Sequence, residues 1–232
     1  MNDMNTTRAQ RALPEPTIGD RLFEVGARFR TPIISIVVIL ALSAAGYFFW
    51  VQKTKTDEAT ASLALSKVNS WIQTGDLEKA IDGDKTTKGL KGIVSSYGDT
   101  PSGNVARLYL GTIYYSMSKP DMALATFKSF THTNKDLQAS ALAGEAACYV
   151  QMKSFPKAAD AYEKASAAAD NEALKSQYLN KAAESHDAAG APDKAVKIYE
   201  EIIKNWPGSS AAGVAQRSML RLAGEGVKIV QP

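Results

Sequence analysis

Cysteine and histidine are almost missing from this chain. Of its 232 residues, one is cysteine and two are histidine. A lone Cys148 excludes an intramolecular disulfide and a cysteine metal cluster. Its place in an apolar helical stretch marks it as a small buried side chain. His132 and His186 stand far apart, and there is no HExxH, cysteine pair or Walker loop. His186 is expected in a core or groove, and His132 at a helix C-terminus, where it would complement the dipole. Gly224-Glu225-Gly226 lacks the strand and helix that a nucleotide loop needs. Charge of one sign is also lacking. The formal net charge of +3 is small and scattered, which argues against nucleic acid. The carboxylate pairs Asp57/Glu58 and Glu200/Glu201 lie on polar helical faces, the pattern of solvated charge. No strand-like alternation of useful length occurs, so the soluble part is expected to be all-α. The chain should not be an enzyme: no catalytic residue, metal site, cofactor or small-molecule substrate is expected.

The first positive feature is a hydrophobic run. Residues 33–51, IISIVVILALSAAGYFFWV, carry no charge. At about 1.5 Å per residue such a helix spans roughly 28 Å, close to the hydrocarbon thickness of a bilayer. A transmembrane helix is therefore expected over 31–51, with Thr31 as N-cap and Pro32 at the first helical position. Arg28 and Arg30 on one side, and Tyr47 and Trp50 on the other, mark the membrane interfaces. A cleaved signal peptide fits less well, because 32 residues precede the run and no small-residue site follows it at once.

Residues 1–17 are polar with Pro14 and Pro16, and read as a disordered tail. Over 18–30, Ile18, Leu22, Val25 and Phe29 share one helical face and Arg21, Glu24 and Arg28 another. Two readings stay open here, an interfacial helix on lipid headgroups and a flexible arm. Positive charge near the apolar run is balanced: Arg21, Arg28 and Arg30 before it, Lys53, Lys55 and Lys67 after it. Arg8 and Arg11 tip the balance towards a cytoplasmic N-terminus.

The rest of the chain repeats itself. With units of about 34 residues starting at Asn104, Ala139 and Ser176, position 8 is Gly111, Ala146 and Ala183. Position 11 is Tyr114, Tyr149 and His186; position 20 is Ala123, Ala158 and Ala195; position 24 is Phe127, Tyr162 and Tyr199. The turn prolines are Pro120, Pro156 and Pro192. Small residues let two helices approach, and the large ones fill the space beside them. The turns carry cap chemistry, with Ser118-Lys119-Pro120-Asp121 reading as a capping box and Ser154 and Gly190 in similar places.

Residues 52–101 read as a connecting helix and a divergent first repeat. Leu63, Leu65, Val68, Trp71 and Ile72 supply its apolar face, and there is an insertion around 77–88. Clear units follow at 104–137, 139–172 and 176–209. A capping helix at 210–223 should cover the open end with Val214, Met219, Leu220 and Leu222. Residues 224–232 read as a frayed tail. The fold expected is an α-solenoid of about four helix pairs plus a cap, behind one transmembrane helix.

This small/large pattern resembles the tetratricopeptide repeat, a helix–turn–helix unit of the same period. The resemblance implies a concave groove lined by the first helix of each unit. By motif position that groove would hold Leu108, Thr112 and Tyr115, then Ala143, Ala147 and Val150, then Asn180, Glu184 and Asp187. One end would be apolar and aromatic, the other acidic. The family's chaperone-tail clamp uses Lys and Asn where this chain has Leu108 and Thr112. The whole layout resembles the bacterial anchored family whose best-known members are ancillary subunits of the SecYEG translocon. That resemblance implies a single-pass inner-membrane protein with its N-terminus in the cytoplasm and its repeats in the periplasm. Its partners would be the lipid bilayer and other proteins, either membrane-complex subunits or translocating clients. The function expected is a chaperone-like, membrane-tethered adaptor assisting translocon or envelope-protein biogenesis. The alternative is an accessory structural subunit of a larger membrane complex.

Overall fold

A computed structural model describes residues 17–229. Residues 1–16 of the tail expected over 1–17, the side chains of Arg28 and Arg30, and residues 230–232 lie outside the described residues. The described part forms ten α-helices: α1 Ile18–Gln73, α2 Leu77–Asp82, α3 Leu90–Tyr97, α4 Pro101–Ser116 and α5 Pro120–Lys128, then α6 Lys135–Gln151, α7 Phe155–Ala168, α8 Glu172–Ala188, α9 Pro192–Asn205 and α10 Ser210–Gly224. No strand occurs among the described residues, only an isolated antiparallel bridge between Gly83 and Lys88. Contacts divide the chain into two compact units, Met1–Lys53 and Thr54–Pro232.

In the first unit, α1 begins earlier than expected. Thr31 and Pro32 do not open a helix; Pro32 lies inside one that started at Ile18. Proline removes one backbone donor from the ladder, and the flanking i→i−4 bonds carry the helix past it. Ile34, Ile36, Val37, Ile39, Leu40 and Leu42 are all more than half exposed, so the apolar surface runs round the whole helix. This is the one described helix long and apolar enough to cross a membrane. Ser43 turns its hydroxyl onto the Ile39 carbonyl at 2.8 Å, which satisfies that polar group inside the run. Tyr47 and Trp50 are exposed at its end, with ring centroids 6.1 Å apart.

The second unit is a stack of helical hairpins. Each consecutive pair from α2 to α10 is in contact, and α4, α6, α8 and α10 also touch in sequence, so they form one layer. The alanines and glycines identified by position make this possible. Ala123, Ala146, Ala158, Ala183 and Ala195 are fully buried, with Phe127, Tyr162 and Tyr199 packed over them.

One turn closes the first helix of each hairpin, and it occurs five times among the described residues. The amide of Lys119 donates to the Tyr114 carbonyl, Ser154 to Tyr149, and Ala191 to His186, at 2.8–2.9 Å. Asp76 donates to Trp71 and Val227 to Leu222 in the same way. The residue before each donor is left-handed: Gly75, Ser118, Lys153, Gly190 and Gly226, with φ between 56° and 90°. The expected capping box at Ser118 is therefore not formed. Ser118 is taken by the end of α4, and Lys119 becomes the N-cap of α5 without a side-chain bond. Ser154 caps α7 with backbone only.

The same turn places the divergent first repeat. The end of α1 is its first helix, and the interval to the next turn is lengthened by the loop at Gly83–Lys88. Ala61 and Val68 are fully buried there, whereas Leu63 is 67% exposed and is not part of the face assigned to it. Glu58 sits as far ahead of Trp71 as Asp136 does of Tyr149, and both cap the next repeat. Glu58 accepts from the Ser102 amide and hydroxyl at 3.0 and 2.6 Å. Asp136 accepts from the amides of Asp170 and Asn171 at 2.8 and 3.0 Å. Glu58 thus satisfies an amide that the start of α4 leaves unpaired, and Asp136 ties down the two residues leading into α8, whose own N-cap is Asn171.

At the far end, Met219 stands where Gly111, Ala146 and Ala183 stand in the other units, so a further helix cannot approach closely. Ala212, Ala215, Met219 and Leu222 face inward, but Leu220 is 73% exposed rather than covering the end. Residues 225–229 are not frayed: Val227 and Ile229 pack on the terminal cluster.

Candidate protein-binding groove

The inner layer of first helices leaves two adjoining pockets in the second unit. The larger, about 380 Å³, is walled by Ala143 of α6, Tyr162 of α7, Gln177, Tyr178, Asn180, Lys181 and Glu184 of α8, and the start of α10. The other, about 270 Å³, is walled by Tyr115 of α4, Ala147 and Val150 of α6, Phe155 and Tyr162 of α7, and Lys181, Glu184, Ser185 and Ala188 of α8. Tyr162, Lys181 and Glu184 belong to both, so the two form one trough. Alanine at the α6 positions keeps its floor low, and the tyrosines form its sides.

Six of the nine groove residues expected from motif position meet here: Tyr115, Ala143, Ala147, Val150, Asn180 and Glu184. Three do not line either pocket. Leu108 packs against the first core cluster. Thr112 turns its hydroxyl to the Leu108 carbonyl at 2.9 Å. Asp187 is held in a charge-assisted bond to Arg221 of α10. Motif position missed Tyr162, Tyr178 and Phe155; the first and last come from second helices, whose contribution to the trough the repeat pattern does not signal.

The electrostatics differ from the expected acidic end. Lys181 and Glu184 pair on α8 at 2.8 Å. Asp187 is neutralised by Arg221, which also bonds Glu225 at 2.8 Å. Each of the two acids thus already faces a cation. Asn180, only 5% exposed, donates from Nδ2 to the Ala211 carbonyl at 2.8 Å, and its Oδ1 has no protein partner. Burial pushes the Tyr162 hydroxyl up to about 12, with Tyr115 and Glu184 adding to the shift, so it keeps its proton.

The remaining candidates for chemistry are packed away. Cys148 is fully buried, and burial raises its thiol to about 11, which leaves it protonated and unreactive. His186 is 7% exposed and bonds Glu163 of α7 at 2.7 Å, the core position its motif place implied. His132 does not sit at a helix C-terminus as expected. It lies beyond α5, stacks on Phe130 at 6.1 Å, and accepts the Asn134 amide at 2.9 Å through Nδ1. No group of three or more metal-ligating side chains occurs among the described residues.

Residues 78–182 match the family model described as a tetratricopeptide repeat-like domain, and residues 180–209 match that of the tetratricopeptide repeat. The second unit therefore carries tetratricopeptide-like repeats. No curated protein matches the chain. Among solved structures, a crystal structure of MamA protein is similar with a TM-score of 0.50 at 17% identity, covering 74% of this chain and 98% of that one. A further crystal structure of MamA has a TM-score of 0.47 at 20% identity, covering 66% and 84%. The first of these shows a shared fold.

Proposed function

We propose that this protein is an adaptor that binds other proteins in its α4–α6–α8 groove while tethered to the bacterial inner membrane. The observation that carries this reading is the trough itself, an open concavity on a repeat scaffold walled by Tyr115, Val150, Phe155, Tyr162 and Tyr178 beside the paired Lys181 and Glu184. Repeats of this kind present extended concave faces to partners. The exposed apolar stretch from Ile34 serves as the tether, with Tyr47 and Trp50 at headgroup level. Tethering raises the effective concentration of the groove near membrane partners. The N-terminus lies in the cytoplasm and the repeats in the periplasm, where the adaptor assists translocon or envelope-protein biogenesis in a chaperone-like way.

The test is purification of the tagged full chain from membranes in mild detergent, beside a Tyr115→Arg/Val150→Arg variant. The adaptor reading predicts several partners, substoichiometric and lost in the variant. One partner set at fixed stoichiometry, retained in the variant, would instead mark an accessory subunit held by other surfaces. Protease added to intact spheroplasts should digest the repeats; their full protection would overturn the periplasmic assignment.

A further inference from the structure

We propose that the groove takes an uncharged, apolar segment of a partner polypeptide in extended form. This rests on the groove being the partner-binding face. The argument begins from charge. Among the described residues lining the two pockets, the only charged ones are Lys181 and Glu184, and they are already paired at 2.8 Å. A further acid on α8, Asp187, is held by Arg221. A charged occupant would lose its water against alanine and tyrosine without meeting a free counter-charge, which is costly. An apolar occupant brings no charge of its own to desolvate.

Shape and hydrogen bonding narrow the occupant further. The two pockets share Tyr162, so one continuous chain reaches both, one side chain toward Val214 and Tyr178, another toward Val150 and Phe155. Alternate side chains of an extended segment lie on one face of the chain, as filling two adjoining pockets requires. Asn180 in the wall of the larger pocket is buried and tied to the Ala211 carbonyl at 2.8 Å, so it fixes the wall rather than meeting an occupant. Tyr162 stays protonated, so its hydroxyl remains a donor for a carbonyl oxygen.

Full-length protein in nanodiscs is titrated against fluorescein-labelled peptides of about twelve residues. One alternates Leu, Phe and Val with Gln and Ser; two others replace the polar positions with Asp or with Lys. A fluorescent fatty acid is the fourth probe. Anisotropy is read at roughly 50 and 500 mM salt. The uncharged peptide should bind about tenfold tighter than either charged one, with less than about a twofold change between salts. Val150→Asp, at an exposed position, should weaken it by about tenfold or more without changing the melting profile. Preference for a charged peptide with steep salt dependence, binding of the fatty acid alone, or indifference to Val150→Asp would overturn the proposal. If no probe binds while a photo-crosslinker at Tyr115 still forms protein adducts in membranes, the uncharged-segment inference falls and the groove reading stands. If neither occurs, both fall.

Discussion

The ring of Phe127 on α5 presses against Gly144 of α6, where a Cβ would lie 2.6 Å from its Cζ. The same ring meets Gly111 of α4, where a Cβ would lie 2.7 Å from Cε1. One side chain thus locks two successive first helices, and the glycines are what admit it. Gly144→Ala should destabilise the full chain in detergent by about 1–3 kcal/mol through overpacking. Phe127→Ala should cost about 3–5 kcal/mol through the cavity it leaves. Urea unfolding followed by far-UV circular dichroism checks both.

The left-handed turn residues make a prediction of opposite sign. Lys153 sits at φ 56° in the place where Gly190 sits at φ 76° in the next repeat. A side chain costs energy in this conformation that glycine does not pay. Lys153→Gly should therefore stabilise by about 0.5–1 kcal/mol, and Gly190→Ala should destabilise by a similar or larger amount, in the same urea titration.

Asp136 of α6 joins two repeats by accepting from the Asp170 and Asn171 amides just ahead of α8. Asp136→Ala should cost about 1–3 kcal/mol, the value of hydrogen bonds to a charged group. Asp136→Asn keeps the acceptor and loses only the charge at the helix start, so its cost should be nearer 0.3–1 kcal/mol. Equal losses in a melting comparison would show that the charge, not the hydrogen bonds, holds the joint.

Glu145 on α6 supplies a pH test. Burial raises its carboxyl above the ordinary value of 4.5, with Lys128 and Lys164 pulling it back only in part. The folded state therefore holds this proton more tightly than the unfolded state. Stability falls as pH rises from the ordinary carboxylate range through the folded value. Glu145→Gln removes that cost. It should raise the melting temperature relative to the parent at neutral pH, and the gain should vanish below about pH 4. A gain that persists at acid pH would have another cause.

The parts legible in the sequence are those set by steric size. Glycine and alanine at position 8, alanine at position 20 and a ring at position 24 are local demands, and all three reappear as buried contacts. The apolar run from Ile34 is legible because composition alone defines it. What was hidden depends on partners far along the chain. Arg221 reaches Asp187 from another helix, so the two acids read as an acidic end, Glu184 and Asp187, each face a cation in the folded chain. Nothing about Ser118 or Lys153 as residue types signals positive φ, whereas Gly75, Gly190 and Gly226 do. Tyr162 was read as a core ring, and it is one, yet its edge also divides the groove. Leu63 fits a helical period by number, but Ala61 and Val68 take the buried side because the neighbouring helices lie there.

The most direct test of the groove compares two photo-crosslinking residues placed one at a time in the membrane-bound full chain. One replaces Tyr115 inside the trough, and the other replaces Met122, which is 46% exposed on α5 and lines neither pocket. The account predicts discrete protein adducts from Tyr115 and none from Met122. Equal adducts from both sites, or adducts from Met122 alone, would contradict it.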